Sequence, residues 1–395
     1  MSNNKLTRRS FLQVAASGAV SLSLLKDNFA QNRVRREQTL YVGTYTSGSS
    51  GRSAQSEGIY IYRLNTETGE LTHSKTVKDV VDPSYLTIDR KRRFLFAVNE
   101  VSQFNGKPGG ALTAFTIDRK SGDLTRLNQK ASEGGSPCYV TLDRTESFAL
   151  LANYEAGNIS VLPIKRDGSV EDAVSVVQHE GSSVNRDRQQ GPHAHCVVVD
   201  KLNRYVFAVD LGIDKILGYK FDARTGKLTS HSEIAAKPGA GPRHFTFHPD
   251  NKHAYVINEL DSTVTALNYD AHRGLLKDFQ TISTLPPGFS GANSCADLHV
   301  SPNGKFLYGS NRGHDSIVVF AIERGSGRLT YVENVSTGGK TPRNFTLDPT
   351  GRLLLAANQK SDSVVTFRID PGTGRLTPTG HIAQIPTPVC LKLVT

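Results

Sequence analysis

Short apolar runs broken by single polar residues recur along the whole chain, and they come in pairs. The clearest pair lies in residues 241–259, Gly-Pro-Arg-His-Phe-Thr-Phe-His-Pro-Asp-Asn-Lys-His-Ala-Tyr-Val-Ile-Asn-Glu. Its pattern predicts one strand over His244 to Phe247 and a second over Ala254 to Ile257. The cluster Pro249-Asp250-Asn251 supplies the turn. Pro242 fits just ahead of the first strand, where its missing N–H need not join the ladder. No long helical period is present.

Variants of this hairpin begin at Pro83, Pro137, Pro192, Cys295 and Pro342, so six complete copies are legible. A seventh is split. The chain ends with a first strand, Pro388 to Leu393, that has no second. It opens its ordered part with a second strand, Leu40 to Thr44, that has no first. An independent marker gives the same count. A Thr/Ser-Gly-x-Leu-Thr turn stands at Gly69, Gly122, Gly226, Gly327 and Gly374, with weaker forms at Gly168 and Gly274. Each is expected to join the third and fourth strands of a unit. Seven four-stranded units roughly 50 residues apart predict an all-β fold, a seven-bladed β-propeller. The split unit would close the ring and remove two exposed sheet edges.

A length of 395 residues would ordinarily suggest more than one domain, but the repeat assigns 39–395 to one propeller. Residues 1–30 read as a leader. Thr7-Arg8-Arg9-Ser10-Phe11-Leu12 resembles a twin-arginine export signal, an apolar run from Val14 to Leu25 follows, and Asn28-Phe29-Ala30 offers a cleavage site. The run is short for a membrane span. The mature protein is therefore expected outside the cytoplasm, in the periplasm, with no membrane span. Residues 31–38 read as a basic linker. Two Gly-rich segments, Thr46 to Gly58 and Gly106 to Gly110, read as surface loops, and neither has the Gly-Lys-Ser/Thr of a phosphate-binding loop. The longest connection between units, Gln178 to Gly191, is long enough to suggest a function.

The cysteines, Cys138, Cys196, Cys295 and Cys390, all fall in or beside predicted inner strands. They read as small buried hydrophobes, not as disulfides, and none has zinc-ligand spacing. No metal and no cofactor is expected. The formal net charge of +10 is not gathered into runs. That balance favours a small anionic ligand over a nucleic-acid groove.

Blade geometry narrows the search for chemistry. The start of the inner strand and the end of the second strand share one face of the ring, and propeller sites lie where loops converge at a channel mouth. A purely structural position should be filled alike in every unit. Just after the second strand stand Tyr45, Glu100, Tyr154, Leu211, Glu259, Arg312 and Gln359. At the inner-strand start stand Ser84, Cys138, His195, Arg243, Ala296, Arg343 and Val389, with His193 two residues from its slot. His193, His195, Arg243, Glu259 and Arg312 come from three consecutive blades. They combine bases able to activate water with guanidiniums able to hold an oxyanion or anionic group. Glu100, Asp210 and Arg343 are assigned to substrate contact. His244 and His248 read as structural.

The segments Tyr41-Val42-Gly43-Thr44-Tyr45-Thr46, Gly191-Pro192-His193-Ala194-His195, Asp210-Leu211-Gly212-Ile213-Asp214-Lys215, Gly241-Pro242-Arg243-His244, Asn258-Glu259-Leu260 and Ser310-Asn311-Arg312-Gly313 together resemble the seven-bladed β-propeller lactonases. That family includes a bacterial type of 6-phosphogluconolactonase and carboxymuconate lactonizing enzyme. The resemblance implies lactone-ring chemistry without a metal on a small anionic or sugar-lactone substrate. It implies a site of one His, one Glu and two Arg: the Pro-His-Ala-His segment, Glu259, Arg243 and Arg312. A muconate-type cycloisomerase and a non-catalytic binding propeller are the alternatives.

Overall fold

A computed structural model describes residues 37–47 and 56–394. The predicted export signal, most of the linker and most of the Thr46 to Gly58 segment lie outside these residues. The described chain forms seven four-stranded antiparallel sheets and one small two-stranded ribbon. In six sheets the strands lie in chain order. The seventh takes Pro388–Leu393 as its inner strand, beside Glu37–Thr44, Ile59–Asn65 and Leu71–Val77. Val42 pairs with Leu391 and Leu40 with Leu393, so the split blade closes the ring as predicted. We number this sheet blade one and the rest in chain order.

The apolar runs are continuous in the second strands because those strands are covered on both faces by neighbouring blades. Every residue of Phe94–Asn99, Phe148–Asn153 and Leu353–Asn358 is buried. Outer strands such as Leu228–Ala235 are largely exposed and polar. The core is accordingly a ring of seams between blades. In one seam Phe306, Tyr308 and Val319 of blade six pack on Phe345, Leu354 and Phe367 of blade seven. Each fully buried large side chain contributes about 1.5–3 kcal/mol. The seams carry the stability, which leaves the axial channel free for polar groups.

The recurring glycine between the third and fourth strands has a steric cause. Gly168 has φ 89°, and a Cβ there would lie 2.2 Å from Cδ1 of Phe94 in the preceding blade. Gly374 makes the same approach to Phe306, at 2.5 Å. Among the described residues the cysteines are free and buried, as expected. The Gly106 to Gly110 segment is more ordered than predicted. Gln103–Phe104 and Lys107–Pro108 form a ribbon, and Asn105 and Gly106 both adopt positive φ to turn it.

Candidate active site

At the face where inner strands begin, the channel opens into a cavity of about 890 Å³. A recurring bulge aims side chains into it. In blade five Pro242 pairs with Asn258 and His244 with Ile257, so Arg243 is an extra residue on the inner strand. The same shift makes Cys138, His195 and Arg343 the extra residues of blades three, four and seven. A bulge twists its strand and re-aims a side chain, and all four of these line the cavity.

Glu259, directly after the second strand of blade five, is the hub and is only 3% exposed. Its Oε1 accepts a bond from Arg188 Nη2 at 2.7 Å. Its Oε2 lies 2.8 Å from Arg312 Nη2 and 3.2 Å from Arg243 Nη1. Backbone carbonyls fix two of these guanidiniums: Arg243 Nε donates to Ala296 at 2.9 Å, and Arg312 Nη2 to Cys295 at 2.7 Å. Arg188 Nη2 also donates to Tyr154 Oη at 3.2 Å. Arg243 Nη1 reaches Nε2 of His195 as well.

On another part of the wall Tyr45 Oη donates to Glu100, 3.0 Å from each carboxylate oxygen. Arg343 lies over the Tyr45 ring, 5.6 Å from its centroid. Among the described residues it has neither a hydrogen bond nor an ion pair. Its guanidinium is the one of the four arginines with all its donors unclaimed.

Two expectations need correction or sharpening. Asp210 does not line the cavity. It is wholly buried and spends its oxygens on His179 Nδ1 at 2.6 Å, His193 N at 2.7 Å and Gly212 N at 2.9 Å. That makes it a brace for the turn after its strand, not a substrate contact. Of the two open histidines, His195 is at the cavity wall. His193 stacks on Tyr154 with centroids 4.4 Å apart and turns Nδ1 to the Tyr154 carbonyl at 2.9 Å. Sequence reasoning named no role for Arg188, Tyr45 or Tyr154. Their signals were the long Gln178 to Gly191 connection and the variable position after each second strand. The described residues that could hold a metal, His248, Asp250 and His253, belong to a turn at the opposite face.

Residues 39–393 match the family described as "Lactonase, 7-bladed beta-propeller". The chain belongs to the seven-bladed β-propeller lactonases. It is 40% identical over 305 residues to the 6-phosphogluconolactonase of Bacillus subtilis, covering 77% of this chain and 83% of that one. It is 34% identical over 316 residues to the 6-phosphogluconolactonase of Formosa agariphila, covering 78% and 86%. The solved structure of a Pseudomonas aeruginosa periplasmic gluconolactonase superimposes with a TM-score of 0.84 at 35% identity, covering 91% of this chain and 99% of that one.

The electrostatics of this lactonase cavity separate its titratable groups. Burial would raise the Glu259 carboxyl, but Arg312, Arg243 and Arg188 outweigh it and hold it well below the usual carboxylate range. Burial raises Glu100, and Arg343 and the Tyr45 hydroxyl oppose it only in part. Burial, then Arg243, pushes the His195 imidazole well down, so the ring is neutral. Burial, then Glu100, pushes the Cys138 thiol well up, so it is no thiolate nucleophile. The cavity thus holds a permanent anion that orders guanidiniums, a carboxylate of raised proton affinity, and cations in excess.

Proposed function

We propose that this cavity hydrolyses a sugar lactone and that Glu100 handles the proton. The observation that carries the reading is a pair of carboxylates among four arginines whose proton affinities are shifted in opposite directions. Separated proton affinities of this kind assign acid–base roles. Glu259, ion-paired to three guanidiniums, is too weak a base to take a proton and serves to position Arg243 and Arg312. Glu100 takes a proton from the attacking water as its oxygen bonds to the ring carbonyl carbon. Arg243 and Arg312 bind the oxyanion that forms. The ring C–O bond then breaks, and the proton passes to the departing alkoxide, giving the open hydroxy acid. His195 acts through Arg243 by capping its Nη1. Arg343, with its unclaimed donors, suits an anionic group of the substrate such as a phosphate.

The relatives named as 6-phosphogluconolactonases and as a gluconolactonase support this substrate class. The test is hydrolysis of 6-phosphogluconolactone beside unphosphorylated gluconolactone, with the spontaneous rate subtracted. Turnover of either above background supports the reading, and the better substrate sets the role of Arg343. Absence of turnover with both overturns it.

We also infer export by the twin-arginine route, on the Thr7 to Leu12 motif and the apolar run that follows it. A likeness to a periplasmic gluconolactonase supports this. Replacing Arg8 and Arg9 by Lys should keep the protein out of the periplasmic fraction; unchanged fractionation would refute the route.

A further inference from the structure

The turn between the inner and second strands is built alike in most blades, which makes departures informative. Asp89, Asp143, Asp200 and Asp348 each use Oδ1 to accept backbone N–H groups four and five residues ahead. In blade six Ser301 caps Phe306 in the same way. The residue five ahead is a buried or half-buried hydrophobe: Phe94, Phe148, Tyr205, Phe306 and Leu353. Blade five departs at both positions, and both departures are histidine. His248 replaces the capping side chain, and His253 replaces the hydrophobe while remaining 4% exposed. The backbone bond between the two positions, His248 N to His253 O at 2.9 Å, is kept.

Neither histidine side chain caps the start of the second strand. Asp250 has taken over the capping, with Oδ1 accepting Lys252 N at 2.8 Å and His253 N at 3.2 Å. His248 Nε2 donates to the Gly304 carbonyl of blade six at 2.9 Å. That bond fixes the tautomer and leaves the lone pair on Nδ1, which accepts a long bond of 3.2 Å from Asp250 N. The same Nδ1 lies 3.0 Å from Asp250 Oδ1, a spacing that either a proton or a metal ion between the two atoms would bridge. His253 Nδ1 lies 2.7 Å from Asp250 Oδ2. The three side chains bring one ligand atom each within 4.8 Å of one another.

We propose that His248 Nδ1, His253 Nδ1 and a carboxylate oxygen of Asp250 form a zinc-type metal site at the junction of blades five and six, on the face opposite the lactonase cavity. Two imidazoles and a carboxylate suit Zn²⁺ and its neighbours and not Mg²⁺, which favours all-oxygen shells. Zn–N bonds of about 2.0–2.1 Å need only small side-chain rotations from this arrangement. Asp250, 31% exposed at its side chain, is the side open to solvent. The Gly304 carbonyl is the outer partner that orients His248, as metal-bound imidazoles require. A bound ion displaces the proton now shared by His253 and Asp250. It would cross-link the two ends of one turn in blade five and takes no part in lactone hydrolysis.

The test is calorimetric titration of the untagged full chain with Zn²⁺, with Mg²⁺ as control, alongside thermal melts. One saturable Zn²⁺ site, absent for Mg²⁺, and a melting midpoint raised by Zn²⁺ are expected. His248→Ser and His253→Phe restore residues that other blades use there, so both should fold. Asp250→Asn keeps the backbone cap and loses the carboxylate. Each is expected to weaken Zn²⁺ binding at least tenfold and to abolish the Zn²⁺-dependent rise in midpoint. Absence of saturable Zn²⁺ binding at millimolar metal, or wild-type affinity in all three variants, overturns the site.

Discussion

Glu100 and Glu259 line one cavity, and their proton affinities are shifted in opposite directions. Three guanidiniums converge on Glu259, whereas Glu100 meets Tyr45 Oη and the more distant charge of Arg343. The difference is one of partners, since both groups are buried.

Glu100→Gln is expected to lower kcat/KM for lactone hydrolysis by roughly 10²–10⁴-fold, the usual worth of a positioned base. The pH profile gives a sharper check. A base must be ionised, so activity should fall as pH drops through the raised value of Glu100. Tyr45→Phe removes a donor that favours the ionised form and should move that limb to higher pH. A limb that stays put would show that Glu100 does not set it.

Glu259→Gln should cost stability as well as rate, because it leaves Arg188, Arg243 and Arg312 facing one another without an anion. Breaking a buried pair from one side costs about 3–5 kcal/mol, readable as a lower denaturant midpoint. The sign with pH follows from the depressed value. The stabilisation is complete above the ordinary carboxylate range, and it is lost as pH falls below that range toward the folded-state value. The midpoint of wild-type protein should therefore fall on acidification more steeply than that of the variant.

His195→Ala and His193→Ala should separate. Loss of His195 frees Arg243 Nη1 and opens a buried gap, so steady-state kinetics should show a fall in kcat. Loss of His193 removes a ring stacked on Tyr154 and its bond to the Tyr154 carbonyl, and should change kcat by less than a few-fold. Equal effects would contradict the assignment of His195 to the cavity wall.

Arg343→Met should act on binding if a substrate anion sits there. A rise in KM of roughly ten- to a hundredfold for a phosphorylated lactone, with little change for the unphosphorylated one, is the expected pattern for a lost charge-assisted contact.

Native protein should be inert to a thiol-specific disulfide reagent and should release four reacting thiols only on unfolding. The cysteines are free and buried, and burial pushes the Cys196 and Cys295 thiols up to about 12. Fast labelling of any thiol in the native state would contradict this.

Much of this was written in the sequence. A propeller repeats one local unit, so the alternation in 241–259, the Gly-x-Leu turn and the orphan strands at the two ends determined the blade count and the closure. Comparison of equivalent positions also placed Glu259, Arg243, Arg312 and His195 on one face. What the sequence left undecided depends on atoms far apart in the chain. Arg188 joins Glu259 from the connection between blades three and four, across 71 positions. Asp210 shares a slot with the strand-end residues, yet the fold turns it onto His179 and the backbone. Proton affinity is decided latest of all. Two glutamates in the same sequence slot, Glu100 and Glu259, differ in which cations and hydroxyls the closed ring brings within reach. Register and burial are local consequences of alternation, whereas the electrostatic state of a site is the sum over every blade that faces it.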